Sequence, residues 1–215
     1  MVYAIEKLII VPIYKIWIRK VEGIENIPRD KHFIVAANHS SYFDTFLLPV
    51  IILSKLNKKM HALVDSTYWN NFITRAFLDL WECVPVFVNK EENSREKNKQ
   101  ALEKALNYLS NGDILIIFPE GGRSKNGKLQ KAYTGIAKLA LSSKVDVLPC
   151  GIIDAHKVLP VGSSLPRFKR CEVKIGKLIH LEKYYNKKTD KIALEEATRS
   201  IMKEIAKLIG QEYDY

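Results

Sequence analysis

The sequence predicts an α/β fold, a layered and mostly parallel or mixed sheet covered by helices, with an amphipathic helix at the N-terminus. Apolar runs rich in Val, Ile and Leu alternate along the 215 residues with segments of helical spacing. Continuous apolar runs are typical of strands buried on both faces, and their alternation with helices is typical of a layered α/β domain. No internal repeat, low-complexity tract or linker is visible, so we expect a single domain after the N-terminal helix.

Six apolar runs are predicted as strands: Phe33–Ala37, Met60–Val64, Val84–Val88, Ile114–Phe118, Val145–Ile153 and Glu172–Ile179. Five segments are predicted as helices: Thr45–Leu53, Tyr68–Leu80, Ser94–Leu109, Gly135–Leu141 and about Lys191–Leu208. In the third helix, Asn93 and Glu96 have the spacing of a capping box, and Gly112 follows the end. Gly210 is the expected stop of the last helix.

The N-terminal segment is apolar over most of residues 2–18, but Glu6, Lys7 and Lys15 interrupt it. It is shorter and more charged than the roughly 20 apolar residues of a membrane-spanning helix. It leaves a wide apolar face at helical spacing and is followed by Arg19 and Lys20, which is typical of a helix lying in a membrane interface. We therefore expect residues 1–20 to associate with a membrane and residues 21–215 to form the domain. An amphipathic helix packed on its own core is the alternative.

Charge is unevenly distributed in this protein of net charge +10, since residues 120–188 carry 15 Lys and Arg against 5 Asp and Glu. Such a field attracts phosphorylated substrates, acidic carrier proteins, acidic lipid head groups or nucleic acid. A solubilising Lys-rich surface would look the same. Cys83, Cys150 and Cys171 are far apart and show no CxxC spacing, which indicates buried reduced thiols rather than disulfides or a zinc site.

A first candidate motif lies at Asn38–Asp44, directly after the predicted strand Phe33–Ala37. If His39 lies in the turn and the helix begins at Ser40 or Ser41, the Asp44 carboxylate can reach back to one imidazole nitrogen. Such a bond fixes the tautomer and leaves the other nitrogen free to accept a proton from a bound hydroxyl. A single His-x4-Asp pair is weak evidence, and a buried structural histidine explains it equally well.

A second candidate motif, Phe118–Ser124, follows the predicted strand Ile114–Phe118. Its adjacent glycines, Gly121 and Gly122, allow a backbone to approach a ligand closely. Arg123 provides a planar fork that suits phosphate. The alternative is a Gly-rich connecting loop with solvated charges.

With these residues, the chain resembles the glycerolipid acyltransferase family, whose type members are the 1-acylglycerol-3-phosphate acyltransferases. The family has four sequence blocks, which fall here at Asn38–Asp44, Val84–Lys90, Phe118–Ser124 and Val147–Ile152, the last with Pro149. The third block matches at six specified residues, which chance would give on the order of one time in a million. The resemblance covers about three quarters of the chain.

The resemblance implies roles for individual residues. His39 would be the general base and Asp44 its orienting partner, with no metal. The acceptor substrate would be held by five residues: Glu120, Gly121, Gly122, Arg123 and Lys90. Position 90 is Lys where the family most often has Arg, position 122 is Gly where Thr is usual, and Thr134 stands where a basic residue is common. These departures bear on the identity of the acceptor.

The resemblance implies transfer of an acyl group from acyl-CoA or acyl carrier protein, as co-substrate, to the sn-2 hydroxyl of 1-acylglycerol-3-phosphate, giving phosphatidic acid. The expected partners are membrane lipids, the lysophospholipid acceptor and the acyl donor. No cofactor and no nucleic acid are expected, since no recognised motif accompanies the basic field. We expect a peripheral or monotopic protein on the cytoplasmic face of a membrane. Acylation of another lysolipid and a non-catalytic lipid-binding protein remain alternatives.

Overall fold

The computed structural model describes residues 15–88, 93–187 and 190–215, and these residues contain one seven-stranded sheet. Its order is β1-β7-β6-β2-β5-β3-β4. The strands are β1 Ile18–Glu22, β2 Ile34–Ala37, β3 Met60–Asp65, β4 Val84–Val86, β5 Ile114–Ile117, β6 Val147–Ile153 and β7 Cys171–Ile175. The five strands from β6 to β4 run parallel, whereas β7 is antiparallel to β6 and β1 is parallel to β7. The expected mixed, mostly parallel sheet is confirmed.

Helices cover both faces of this sheet. They are α1 Asp44–Leu53, α2 Phe72–Leu80, α3 Ser94–Ser110, α4 Gly135–Ser143, α5 Ala155–Val158 and α6 Lys191–Ile209. Short 3₁₀ turns lie at Lys15–Trp17, Ile24–Asn26, Ser66–Asn70 and Glu182–Lys187. No helix in these parts of the chain combines the length and the apolar content needed to cross a bilayer.

The core lies on both sides of β2, which explains why its sequence is apolar at every position. Ile34 and Ala36 pack into one cluster with α3, α4 and α6. Val35 and Ala37 pack into the other cluster with α1 and α5. Because successive side chains of a strand point to opposite faces, a strand with no polar face must be covered twice. Cys83, Cys150 and Cys171 are buried and unpaired, as expected.

Three local predictions are wrong. Ile18–Lys20 was expected to end a helix, but these residues belong to β1, an edge strand whose Arg19 pairs with Glu172 at 2.6 Å. Lys15–Trp17 form a short 3₁₀ turn, and residues 1–14 of the predicted N-terminal helix lie outside the described residues. The helix expected from Tyr68 begins only at Phe72, because the Asn71 side chain accepts the N–H groups of the first turn.

The capping box is the third error. Asn93 has φ 61 and makes no side-chain cap, so the helix begins with a left-handed residue instead. The glycines that end helices behave as predicted, with Gly112 at φ 83 and Gly210 at φ 69.

The topology brings the two sequence motifs together. β2 and β5 are adjacent and parallel, with Ile34 opposite Leu115, so both carboxyl ends reach the same edge. β6 lies beside β2, and β3 lies beside β5. Loops beyond the carboxyl ends of parallel strands are where functional residues gather in such sheets.

Candidate active site

His39 lies just beyond the end of β2. Its Nδ1 is 3.0 Å from Asp44 Oδ2, and the side chain keeps 12% exposure. A carboxylate can only accept, so this contact places the ring hydrogen on Nδ1 and leaves the lone pair on Nε2. Among the described residues, nothing hydrogen-bonds to Nε2. The ring therefore offers one oriented, basic nitrogen.

Asp44 is fully buried at the first residue of α1. Its Oδ2 also accepts from the backbone N–H groups of Ser40 at 2.7 Å and Ser41 at 2.8 Å. The helix begins later than the expected Ser40 or Ser41, but the carboxylate reaches back to the ring as predicted. Three donors on one oxygen hold the carboxylate in a single orientation. Oδ1 is buried and has no partner among the described residues.

The second motif fixes the backbone and the ring plane of His39. The His39 N–H donates to Glu120 Oε1 at 2.9 Å, and the His39 carbonyl accepts from the Ser124 N–H at 2.8 Å. The His39 ring stacks on Phe118, with centroids 4.0 Å apart and planes 17° apart. The loop after β5 is therefore the support of the histidine after β2.

Glu120 is buried, and both of its oxygens accept from backbone N–H groups. Oε1 bonds to His39 and Oε2 bonds to Gln130 at 2.8 Å. Burial raises the pKa of Glu120 to about 7, which the two N–H donors oppose and the nearby Asp44 charge adds to. The Glu120 side chain therefore links the backbone of His39 to the backbone of Gln130, which lies ten residues after Glu120 in the chain.

The two adjacent glycines differ in what their positions require. Gly121 has φ 66, and a Cβ there would lie 2.7 Å from Tyr133 Cε2. Any side chain at this position would be strained by the positive φ, and the exposed Tyr133 ring would have to move aside. Gly122 has no positive φ, and a Cβ there would meet nothing within 4 Å. The structure therefore requires glycine at 121 but not at 122.

Arg123 is held by two tyrosines. Its Cζ lies 3.4 Å from the centroid of the Tyr42 ring, and its Nη2 donates to the Tyr68 hydroxyl at 3.2 Å. The two tyrosine hydroxyls are 3.0 Å apart. Burial and the contact with Tyr42 raise the pKa of Tyr68 to about 12, although Arg123 lowers it, so Tyr68 stays neutral. Arg123 Nη1 is buried and has no partner among the described residues.

Sequence reasoning missed the residues that brace this edge of the sheet. The Asn38 amide pairs with the Ile152 backbone, donating to its carbonyl at 2.8 Å and accepting from its N–H at 2.7 Å. Tyr42 lies between His39 and Asp44 in the first motif, so its position was visible, but its contact with Arg123 is long-range. Tyr68 follows β3 and carried no signal of its own in the sequence.

Lys90, expected to contact the acceptor, lies outside the described residues. No group of three or more His, Cys, Asp or Glu residues in the described parts has the arrangement of a metal site. The structure brings together at this edge a histidine–aspartate pair, a buried carboxylate and a guanidinium held by two tyrosines.

Comparison with curated proteins gives relatives of known name. A chloroplastic 1-acyl-sn-glycerol-3-phosphate acyltransferase of Arabidopsis thaliana is 29% identical over 155 residues, covering 72% of this chain and 40% of the relative. A 1-acyl-sn-glycerol-3-phosphate acyltransferase of Borreliella burgdorferi is 30% identical over 142 residues, covering 63% of this chain and 51% of the relative. The aligned chain thus spans only 40% to 51% of the length of these relatives.

Comparison with solved structures supports the fold. The crystal structure of the 1-acyl-sn-glycerophosphate acyltransferase PlsC from Thermotoga maritima matches with a TM-score of 0.65 at 23% identity. The match covers 93% of this chain and 76% of that chain. The family model described as acyltransferase matches residues 18–153, which include both motifs and the strands that carry them. Because that match covers more than half of the sequence, the chain belongs to the acyltransferase family.

Proposed function

We propose that this protein transfers an acyl group from an acyl thioester to the sn-2 hydroxyl of 1-acylglycerol-3-phosphate, giving phosphatidic acid. The observation that carries the proposal is the combination of a His39 Nε2 and a buried Arg123 Nη1 that both lack a hydrogen-bond partner among the described residues. The first group suits a hydroxyl that must lose a proton. The second suits a phosphate that must be held. The named relatives act on the same acceptor.

His39 acts as the general base in this scheme. Nε2 takes the proton of the acceptor hydroxyl as its oxygen attacks the thioester carbonyl carbon. The tetrahedral intermediate then collapses, the carbon–sulfur bond breaks, and the thiolate leaves with the proton from the imidazolium. Asp44 stabilises that imidazolium through Nδ1–H, which it holds at 3.0 Å.

Arg123 binds the phosphate of the acceptor. Its fork is already oriented by Tyr42 beneath the guanidinium plane and by Tyr68 at Nη2. Pre-orientation lowers the entropy lost when a phosphate binds two guanidinium nitrogens. Glu120 and Gly121 shape the loop that carries Arg123, Gly122 leaves open space beside it, and Lys90 is proposed as a second cation for the phosphate.

The donor is acyl-CoA or acyl carrier protein, and the acceptor lies in a membrane with which the protein associates peripherally on the cytoplasmic face. The basic segment 120–188 supports an anionic surface or carrier as partner. The mostly apolar sequence of residues 2–14 supports contact with lipid.

The proposal is tested by mass spectrometry of products from a panel of lysolipids, each supplied with acyl-CoA or with acyl carrier protein. The expected result is sn-2 acylation of 1-acylglycerol-3-phosphate in preference to acceptors with choline or ethanolamine head groups. The His39→Ala protein serves as the control that should form no product. Acylation of a choline or ethanolamine lysolipid with no phosphatidic acid would show that the acceptor is wrong. Absence of any product with the wild-type protein would overturn the catalytic proposal.

A further inference from the structure

The loop between α5 and β7, residues 159–170, presents apolar and basic side chains together. Phe168 is 96% exposed and Leu165 is 79% exposed. Arg167, Lys169 and Arg170 are exposed beside them and form no ion pair with the described residues. Single exposed apolar residues are common on protein surfaces. Here, two large apolar side chains and three cations lie exposed within the six residues 165–170, which is an unusual cluster.

The base of this 159–170 loop is closed by two hydrogen bonds to backbone carbonyls. The Arg167 N–H donates to the Val158 carbonyl at 2.7 Å, and the Trp17 indole N–H donates to the Arg167 carbonyl at 3.1 Å. The ends of the loop are therefore held together while Leu165 and Phe168 remain outside, as in a compact surface loop of defined shape. A held loop presents its side chains without a large loss of backbone entropy on binding.

The same loop begins beside the catalytic pair. The Ser41 hydroxyl donates to the Leu159 carbonyl at 2.7 Å, and Ser41 lies two residues from His39 and gives its N–H to Asp44. Trp17, which holds the other side of the loop, packs on Phe43 with ring centroids 6.1 Å apart. The exposed apolar side chains thus rise from the edge of the sheet at which the proposed reaction takes place.

We propose that the 159–170 loop docks the protein on an anionic lipid bilayer, with Leu165 and Phe168 in the interface and the three cations at the phosphate groups. Apolar side chains that enter the headgroup boundary and cations that meet anionic lipid add to each other in interfacial binding. The purpose of the docking rests on the proposed function, since a protein docked through this loop would have His39 close to a lysolipid of the same bilayer. This docking adds a second contact with the membrane, independent of residues 1–14.

Vesicle binding by the full-length protein tests this surface. Leu165→Ser/Phe168→Ser should bind vesicles of phosphatidylcholine with phosphatidylglycerol at least about tenfold more weakly than wild type, because the two apolar side chains that would enter the bilayer are lost. Arg167→Gln/Lys169→Gln/Arg170→Gln should weaken binding to the same vesicles by about tenfold or more and lose most of the dependence on salt. Unchanged binding of the apolar double variant would overturn the proposal.

Matched controls exist on the opposite side of the sheet. Ile192 on α6 is 68% exposed, so Ile192→Ser removes a comparable exposed apolar side chain. Lys138→Gln/Lys187→Gln/Lys203→Gln removes the same charge from exposed positions on α4, the last 3₁₀ turn and α6. Both controls should bind vesicles like wild type. A control as weak as the loop variants would show that total charge or apolarity, not this loop, governs binding, and would contradict the proposal.

A label separates the bilayer from other occupants of the surface. Since all three native cysteines are buried, Phe168→Cys can be labelled selectively with a polarity-sensitive dye, with Ile192→Cys as the reference. The dye at position 168 should report water without vesicles and an apolar medium with them. A label that is already shielded without vesicles would mean that residues 1–14 or a second copy of the protein cover the loop. That result would overturn bilayer docking, whichever of the two covers it.

Activity distinguishes this inference from the proposed function. The Leu165→Ser/Phe168→Ser protein should acylate a short-chain monomeric lysolipid at the wild-type rate but a vesicle-embedded one more slowly. Loss of both activities would mean that the loop supports the active site itself, against the proposal. If the wild-type protein transfers no acyl group but its vesicle binding depends on the loop, the proposed function fails and the docking surface stands.

Discussion

Two histidine–aspartate pairs lie at opposite edges of the same sheet. His39 and Asp44 lie beyond the carboxyl end of β2, whereas His61 lies near the start of β3 and pairs with Asp113, just before β5. Each ring stacks on an aromatic ring, at 4.0 Å for His39 and 3.8 Å for His61. By residue type and by contact, the two pairs look alike.

They differ in the second ring nitrogen. His61 is closed on both sides, with Nδ1 3.3 Å from the Trp81 carbonyl and Nε2 3.3 Å from Asp113 Oδ2, and its side chain is 1% exposed. Within the described part of the chain, His39 makes a side-chain hydrogen bond through Nδ1 alone, and its side chain is 12% exposed. A histidine can transfer a proton only through a nitrogen that a substrate can reach. The comparison indicates that His61 is structural and His39 is available for chemistry.

The largest expected effect tests directly whether the two histidine–aspartate pairs differ in function. His39→Ala should lower kcat by about 10³-fold, because the general base is lost, with little change in stability. His61→Ala should leave kcat close to wild type but lower the free energy of unfolding by about 2 kcal/mol, because a fully buried ring is lost. Steady-state kinetics and urea unfolding of both variants measure this. Equal loss of activity would mean that the two pairs are not functionally distinct.

The carboxylates give the next largest contrast. Asp44→Asn should lower kcat by about 10²–10³-fold, because the charge that stabilises the imidazolium is removed. Asp113→Asn should leave kcat unchanged, since its histidine takes no part in the reaction. A pre-steady-state assay of acyl transfer with both variants is the appropriate measurement. Full activity of the Asp44→Asn protein would contradict its orienting role.

A third prediction concerns Arg123. Arg123→Ala should raise KM for 1-acylglycerol-3-phosphate by about 10- to 100-fold, because a charged hydrogen bond to phosphate is lost. KM for monoacylglycerol, which lacks phosphate, should change little. Tyr68→Phe, which removes only the hydroxyl that orients the guanidinium, should give a smaller rise for the phosphate acceptor. An equal effect on both acceptors would argue against phosphate binding.

The last prediction concerns the pH dependence of stability, to which Glu120 contributes. Its pKa is raised from 4.5 to about 7 in the folded state, so the folded protein binds this proton more tightly than the unfolded chain. Its contribution to stability is therefore complete below pH 4.5 and is lost as pH rises towards 7, by about 3 kcal/mol.

Glu120→Gln removes that titration and provides the control. The free energy of unfolding of the wild-type protein minus that of the variant should fall as pH rises from 4.5 to 7. Urea unfolding at a series of pH values measures it. Since Gln offers one acceptor oxygen to two N–H donors, the variant should also be less active. A pH-independent difference would mean that the carboxyl does not titrate in this range.

The sequence predicted the central strands well because they are buried on both faces. β2 and β5 are apolar throughout, so their composition alone distinguishes them. β1 was missed because an edge strand needs no apolar alternation, and its Arg19 and Lys20 resembled the polar end of a helix. The capping box at Asn93 was predicted wrongly because asparagine is favoured both as a helix cap and in the left-handed conformation that it adopts here.

The site was predictable where its contacts are local. Asp44 and His39 are five positions apart, so their pairing followed from one turn of chain. The contacts of Arg123 with Tyr68 and of Glu120 with the His39 backbone join residues 55 and 81 positions apart. Such contacts depend on which strands are neighbours, and the spacing of motifs along the chain does not show the strand order. The resemblance supplied the residues but not the way in which they support one another.

The support that Phe118–Ser124 gives to His39 has a consequence for engineering. Three bonds or contacts join this segment to a histidine from a distant part of the chain: a carboxylate to its N–H, an N–H to its carbonyl and a ring to its imidazole. Chimeras that exchange either segment alone with a homologue would pair surfaces that were not selected together. The natural unit of exchange is the pair of segments, 38–44 with 118–124.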